Sequence, residues 1–234
     1  MIKMAKKKSK KGTEEPFEAV HGALSRTEQF IENNQKLIIY IVLGIVLVVL
    51  AIIGFRKFIL EPKQKEAASQ IFVAEYYFER DSFQLALEGD GSNLGFLDII
   101  DEYGRTSVGN LAYYYAGACY MRLQDFETAI EYLDKYKAKD DMLGPISIGL
   151  KGDAYAELGE TDKAIKLYLE AAKKADNEFV SPLYLMRAGL AYENNGEYQK
   201  ALEIYERIEK EYYGTNEQRN IEKYITRVKI MLEQ

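Results

Sequence analysis

Residues 152–171 read GDAYAELGETDKAIKLYLEA, and this stretch decides the fold. Gly152 and Tyr155 precede the central Gly159, and Ala164 and Tyr168 follow it, so small residues and aromatics stand at fixed intervals. A glycine between two segments of helical spacing is typical of a tight turn between helices. The small residues let the two backbones approach closely, and the aromatic rings fill the space around the contact. The stretch therefore predicts a helix–turn–helix unit built from packing residues.

The same pattern occurs twice more, as GACYMRLQDFETAIEYL at 117–133 and GLAYENNGEYQKALEIY at 189–205. Counted from the first glycine of each copy, a tyrosine stands at +3, an alanine at +12 and a large apolar residue at +16. Position +7 is glycine in two copies and Gln124 in the third, and the first glycines are 35 and 37 residues apart. A unit of this size cannot bury its apolar face alone, so the copies are expected to stack on one another.

These positions and this spacing resemble the tetratricopeptide repeat, a helix pair with a period of about 34 residues. The tryptophan that is frequent early in that family's first helix is absent, and Tyr113, Ile148 and Leu185 take its place. The resemblance implies an all-α fold in which helix pairs stack into a tetratricopeptide-repeat solenoid. The repeats are expected at about 110–142, 145–178 and 182–213.

A degenerate copy is predicted before them, at about 66–104, with Ala74 as its origin. Tyr77, Phe83 and Ala86 fit the pattern. Glycines at 89 and 91 are expected to end its second helix, and a short helix is predicted from Leu94.

A capping helix is predicted at 215–234. Thr215 and Gln218 fit a capping box, which marks a helix start. A solenoid needs such a terminal helix to keep its last repeat soluble. The whole repeat domain is therefore expected to span 65–234.

The most apolar segment is Leu37–Phe55, which reads LIIYIVLGIVLVVLAIIGF and contains no charged residue. As a helix it would be about 28 Å long, close to the bilayer core of about 30 Å, and it has no polar stripe. A cleaved secretory signal is the alternative, but the apolar run is longer than a usual signal core and begins only after residue 36. No cleavage motif follows the run, so we expect a transmembrane helix at 37–55.

Charge separates the chain into two parts, with a net charge of +3 over residues 1–36 and −9 over residues 56–234. The acidic part is unsuited to nucleic acid, which needs a basic face to neutralise its phosphates. Residues 1–16 contain six lysines and are predicted to form a basic disordered tail near anionic lipid, with a nucleic-acid patch as the alternative. Residues 17–36 place apolar side chains at helical spacing, which predicts an amphipathic pre-membrane helix or a marginal helix leading into the span.

The charges flanking the apolar segment leave two orientations open. Close to the segment, Arg26 and Lys36 precede it and four basic residues follow it, which would place the repeat domain inside. Counted over the whole N-terminal tail, the positive charge instead favours a cytoplasmic N-terminus and an external repeat domain. We weight the tail, because long domains cross the membrane largely regardless of their charge.

Residues suited to catalysis are scarce. His21 is the only histidine and lies before the apolar segment, so the repeat domain has no histidine for a general base, a triad or a zinc site. No phosphate-binding glycine-rich loop occurs, and neighbouring carboxylates such as Asp140 and Asp141 are expected from composition alone. Cys119 stands among small residues, which indicates a buried side chain rather than a reactive thiol. We predict no enzymatic activity, no cofactor and no metal.

Binding of polypeptides or protein partners is the remaining function. The register of the family implies a concave groove lined by the first helix of each repeat. Tyrosine, methionine and leucine suit adaptable apolar contact, and Arg122 and Arg187 suit a carboxylate or a backbone carbonyl. About half of the groove residues are expected to be exposed, because the others pack between helices. The predicted groove residues are Tyr114, Ala118, Met121, Arg122, Leu150, Asp153, Glu157, Met186, Arg187, Leu190 and Asn194.

A receptor for the C-terminal carboxylate of cytosolic chaperones is disfavoured. Family members with that function carry lysines and asparagines at set groove positions. Of the corresponding residues here, only Arg187 suits a carboxylate, and the others are Tyr114, Ala118, Leu150 and Leu183.

From RTEQFIENNQKLIIYIVLG through the repeats to EKEYYGTNEQRNIEKYITRVK, residues 26–234 resemble the bacterial family of ancillary translocon subunits of the YfgM type. The resemblance implies a single-pass anchor in the inner membrane, a cytoplasmic N-terminus and a periplasmic repeat domain. It also implies association with the translocon and periplasmic chaperones, without catalysis. An envelope assembly or division adaptor and a cytoplasm-facing receptor are the alternatives, and the oligomeric state is left open.

Overall fold

The structure is a computed structural model that describes residue 30, residues 33–138 and residues 140–234. Within these residues the chain is all-α, with no strand. The predicted basic tail at 1–16 lies outside the described residues, as does most of the predicted helix at 17–36. The chain divides into two compact units, Met1–Ile59 and Leu60–Gln234.

In the first unit, helix α1 spans Gln35–Phe55 and is followed by a π-helical turn at Arg56–Leu60. None of the residues of α1 is buried, although nearly all of them are apolar. The helix is long and apolar enough to cross a membrane, by length and composition.

In the second unit, three helix pairs occupy the positions where the repeats are predicted. The remaining helices flank them on both sides in sequence. The pairs are α5 (Ser107–Arg122) with α6 (Phe126–Lys135), α7 (Leu143–Glu157) with α8 (Thr161–Ala175), and α9 (Ser181–Asn194) with α10 (Tyr198–Glu211). The flanking helices are α2 (Glu61–Glu79), α3 (Phe83–Glu88), α4 (Phe96–Tyr103), α11 (Asn216–Arg219) and α12 (Ile221–Leu232).

The turn inside each pair has the same backbone geometry. Gly159 and Gly196 have φ angles of 77° and 75°, and Gln124 adopts the same left-handed conformation with a φ of 63°. In each pair the N–H of the residue after the turn donates to the carbonyl of the +3 tyrosine, at 2.8–3.0 Å. Glycine adopts this conformation without steric cost, whereas a side chain there costs about 1–2 kcal/mol.

Close packing within each pair depends on the first glycine of the motif. A Cβ atom at Gly117 would lie 2.6 Å from Leu133 Cγ, and one at Gly152 would lie 2.7 Å from Tyr168 Cε1. The +12 alanines of all three pairs are fully buried. The +16 side chain therefore packs directly on the glycine, as the sequence pattern predicts.

The segment before the first pair is irregular because the second helix of the degenerate copy, α3, is only six residues long. The loop that follows it is fixed by Asp90, whose carboxylate accepts the N–H groups of Ser92 and Asn93 at 2.9 and 2.7 Å and the Tyr77 hydroxyl at 2.8 Å. The Asn93 side-chain amide also donates to this carboxylate, and it contributes most to lowering the pKa of Asp90. Together these hydrogen bonds hold that pKa well below its usual range. The short helix α4 then packs against α2, α3 and α5 and buries Phe96, Ile99 and Tyr103.

The predicted capping helix is divided in two at Asn220, between α11 and α12. Thr215 Oγ1 accepts the N–H of Gln218 at 3.3 Å, but Gln218 Oε1 accepts the N–H of Gly214 instead of that of Thr215. Only one half of the capping box therefore forms. Helix α12 buries Ile221, Ile225 and Val228.

The second unit has two hydrophobic cores among its described residues. The first includes Phe96, Ile99 and the fully buried Cys119, and it is built from α2 to α5. The second includes Tyr168, Leu185 and Tyr205, and it is built from α7 to α10 and α12. Helices of both cores, α5 from the first and α7 to α9 from the second, line the largest part of one surface cavity.

Candidate protein-binding groove

A cavity of about 570 Å³ lies along the C-terminal ends of α5 and α7 and reaches α9. It is lined by the helices that come first in each pair, by the turn after α5 and the first residue of α6, and by one residue of α8. The lining residues are Met121, Arg122, Gln124, Phe126, Leu150, Asp153, Ala156, Glu157, Tyr168 and Arg187. Three consecutive repeats thus contribute to one open surface.

Six of the eleven predicted groove residues line this cavity, namely Met121, Arg122, Leu150, Asp153, Glu157 and Arg187. Of these, Arg122 and Glu157 are exposed and the other four are half-buried. The C-terminal ends of α5 and α7 carry five of these six residues, because residues three or four positions apart lie on one face of a helix. Arg187 comes from α9.

The other five predicted residues lie outside the cavity lining. Ala118 is buried, and Met186 packs against the second core. Tyr114 contacts the rings of Tyr115 and Tyr136, each with centroids 5.6 Å away, and burial raises its pKa. Leu190 is half-buried and Asn194 is exposed.

Four lining residues, Gln124, Phe126, Ala156 and Tyr168, were not predicted. Gln124 occupies the left-handed turn, and Phe126 is the first residue of α6. Both belong to the turn region, whereas all of the predicted groove residues lie on the first helix of a repeat. The non-glycine residue at +7 was the available signal for Gln124, because the other two copies have glycine there.

The wall of the cavity contains an ion pair that joins two repeats. The guanidinium of Arg187 on α9 pairs with Asp153 Oδ1 on α7, and the Tyr168 hydroxyl donates to the same oxygen at 2.8 Å. Burial and the Asp153 carboxylate raise the pKa of Tyr168. Arg187 therefore has a carboxylate partner within the chain and serves the junction between repeats.

The same arrangement recurs one repeat later. The Tyr205 hydroxyl donates to Glu193 Oε2 at 3.0 Å, and Arg227 on α12 pairs with both oxygens of Glu193 at 2.6 and 2.8 Å. Each arginine also lies over a tyrosine ring of its own helix, Arg187 over Tyr184 at 5.5 Å and Arg227 over Tyr224 at 4.9 Å. A tyrosine at +16, a carboxylate and an arginine thus form a repeated link between stacked units.

Five of the remaining lining residues differ from this link because no core-packing or ion-pair role is visible for them in the described part of the chain. Met121, Phe126 and Leu150 are not among the described side chains that pack against either core. Arg122 and Glu157 form no ion pair with any described residue. The lining therefore combines three apolar side chains with one cation and one anion that pair with no described residue.

Reactive groups are not placed at this surface. Burial raises the pKa of the Cys119 thiol to about 12, so the thiol is unreactive near neutral pH. No group of three or more histidine, cysteine or carboxylate side chains suited to a metal occurs in the described residues.

Comparison with known proteins supports the repeat architecture. Sequence profiles of the tetratricopeptide repeat match residues 150–213 and residues 111–140, which confirms the prediction of these repeats. No curated protein matches the sequence significantly.

Among solved structures, a Podosopora anserina protein named as a kinesin light chain with nearly identical TPR-like repeats has a TM-score of 0.56 and 16% identity. The alignment covers 73% of this chain and 88% of that one. A second structure of this protein has a TM-score of 0.56 and 14% identity, with 73% and 89% covered. These likenesses show the fold, a helical solenoid, and the repeats imply a scaffold for protein–protein interaction.

Proposed function

We propose that this tetratricopeptide-repeat protein is a membrane-anchored scaffold that binds extended or partly folded polypeptides in the groove between α5, α7 and α9. The observation that carries the proposal is the pair Met121 and Leu150, which line the cavity without packing against either core. Apolar side chains left half-exposed in a concave surface are typical of binding sites. Methionine and leucine adapt to many partners, which suits clients of varied sequence.

The anchor in this proposal is α1. Its apolar side chains are exposed along the whole helix, for example Leu47 at 59% and Val48 at 58%, and exposure of this extent is unfavourable in water but favourable in lipid. Tethering to a membrane raises the local concentration of the groove near chains that emerge there, so weak contacts suffice for capture.

We place the repeat domain in the bacterial periplasm, close to the protein-export translocon and periplasmic chaperones. The basic N-terminal tail supports a cytoplasmic N-terminus, and the resemblance to ancillary translocon subunits supports the location. A compartment-sensitive reporter fused after Gln234 tests the orientation. Reporter activity characteristic of the periplasm is expected, whereas cytoplasmic activity would make the protein a cytoplasm-facing receptor.

Binding is tested with the purified full-length protein in detergent and a permanently unfolded polypeptide, such as reduced and carboxymethylated lactalbumin. Leu150→Glu is expected to weaken binding at least fivefold, because it replaces an apolar contact surface in the lining with a carboxylate. Leu85→Glu is the matched control, since Leu85 is 43% exposed on α3 and does not line the cavity. Equal affinities of the two variants would show that the groove does not bind the unfolded polypeptide.

Partners that copurify after mild crosslinking separate the proposal from its main alternative. Translocon subunits, periplasmic chaperones and nascent chains are expected. Recovery of only cell-division or outer-membrane assembly proteins would instead identify an envelope adaptor built on the same repeats.

A further inference from the structure

The charges around the cavity differ in whether they are already satisfied inside the fold. Asp153 and Arg187 neutralise each other, and Tyr168 adds a hydrogen bond to the same carboxylate. Removing Arg187 from this pair would leave a half-buried carboxylate without its cation, which is costly. A ligand therefore meets the pair as a neutral part of the wall.

Arg122 and Glu157 are the cation and the anion of the lining that no described residue neutralises. Arg122 ends α5 and Glu157 ends α7, so they lie on neighbouring repeats, and the same cavity is lined by the apolar side chains of Met121 and Leu150. Both are exposed, so neither is held by burial in a purely structural contact.

We infer that the groove selects extended polypeptide segments in which one apolar side chain is flanked by an acidic residue on one side and a basic residue on the other. The apolar side chain contacts Met121 and Leu150. The acidic residue pairs with the guanidinium of Arg122, and the basic residue pairs with the carboxylate of Glu157. This inference rests on the proposed function, because it names the class of ligand for the same groove.

Complementarity of charge argues for this occupant over a uniformly charged one. A segment with two acidic residues would place one of them against Glu157, and a segment with two basic residues would place one against Arg122. Like charges at such a contact lower affinity, so each uniformly charged segment gains one pair and loses the other. Only the mixed segment pairs with both Arg122 and Glu157.

The test uses fluorescent Gly/Ser peptides with one central leucine flanked by Glu and Lys, by two Glu, by two Lys or by two Gln. Affinities for the full-length protein in detergent are measured by anisotropy at low salt. The wild-type protein is expected to bind the Glu/Lys peptide about three- to tenfold more tightly than the Gln/Gln peptide, because exposed ion pairs are individually weak. The difference is expected to shrink as salt is added.

Single charge reversals change the preference in a defined direction. Arg122→Glu leaves two anions and is expected to favour the Lys/Lys peptide, and Glu157→Arg leaves two cations and is expected to favour the Glu/Glu peptide. Lys166→Glu and Glu170→Arg are the matched controls, since both residues are exposed on α8 outside the lining, and they are expected to keep the wild-type preference.

The outcomes separate the two proposals. If the leucine peptides bind the wild type equally well whatever their charges, or if the reversals leave the preference unchanged, the ligand class is wrong and the scaffold function stands. If the protein binds none of the leucine peptides and does not bind the unfolded polypeptide either, both proposals fail.

Discussion

The guanidinium of Arg187 on α9 pairs with the carboxylate of Asp153 on α7, and this contact crosses from one repeat to the next. The acceptor oxygen also takes the Tyr168 hydroxyl at 2.8 Å, so a residue of α8 joins the same link. Three helices are therefore held by one carboxylate at the edge of the groove. An equivalent carboxylate, Glu193, performs the same role for the last repeat and the capping helix.

The first prediction concerns this link. Asp153→Asn removes the charge but keeps the shape, and it is expected to lower the free energy of unfolding by about 0.5–1.5 kcal/mol, a value reduced by the partial exposure of Arg187. Urea denaturation measures the change.

A double-mutant cycle with Arg187→Gln is expected to give a coupling energy of about 0.5–1 kcal/mol. Glu160→Gln, which breaks an exposed pair with Lys163 inside one repeat, serves as the control and is expected to cost less than about 0.5 kcal/mol. Additive effects of the two groove substitutions would show that the pair does not stabilise the junction.

A second prediction separates two kinds of glycine. Gly149→Ala introduces a Cβ atom that would overlap the Tyr184 ring, which is buried, lies stacked 6.2 Å from Tyr168 and donates its hydroxyl to Ile146. The ring cannot withdraw freely, so we expect a loss of about 1–3 kcal/mol despite the higher helix propensity of alanine.

Gly159→Ala is the comparison, because no atom lies within contact of its Cβ and only the left-handed φ of 77° is unfavourable. Its cost is expected to be about 1 kcal/mol. Both values come from urea denaturation, and a stabilising effect of Gly149→Ala would contradict the close approach of α7 and α9.

The third prediction is a loss of stability at alkaline pH. The pKa values of Tyr115, Tyr136 and Cys119 are each raised to about 12 by burial, above ordinary values of 10.0 for tyrosine and 9.0 for cysteine. The unfolded chain ionises at the lower values, so the folded state binds more protons above pH 9. The contribution of these groups is therefore complete below about pH 9 and is lost as pH rises from there through 12.

The urea midpoint is expected to be level between pH 7 and 8.5 and to fall steadily above pH 10. The part of the tyrosinate absorbance at 295 nm that comes from buried tyrosines such as Tyr115 should rise together with the loss of helix. A midpoint that stays level to pH 11 would show that these side chains are not buried as described.

Much of the fold follows from the sequence because its causes are local. The glycine at +7, the +3 tyrosine and the small residues at 0 and +12 each act within one helix pair, and the structure places them as the pattern predicts. The break at Asn220 could not be predicted in this way, because Thr215 and Gln218 fit the start of one continuous helix. The half-formed capping box could not be predicted either, because it depends on Gln218 Oε1 accepting the N–H of Gly214 instead of that of Thr215.

The groove was predicted less completely than the fold because its residues act between repeats. The register of the family predicted Met121, Leu150 and Glu157 for the groove, and these residues line the cavity. It could not show that Arg187 pairs with Asp153, because that contact depends on side-chain directions across two repeats. Nor could it show that Phe126 from α6 enters the lining.

Site-specific photocrosslinking in intact membranes tests the central claim most directly. A photoreactive amino acid replaces Met121 in the groove of the full-length protein, and the control replaces Lys166 on the exposed face of α8. We predict that position 121 crosslinks to translocating or unfolded polypeptide and that position 166 does not. Crosslinks of equal yield from both positions, or none from position 121, would contradict a polypeptide-binding groove.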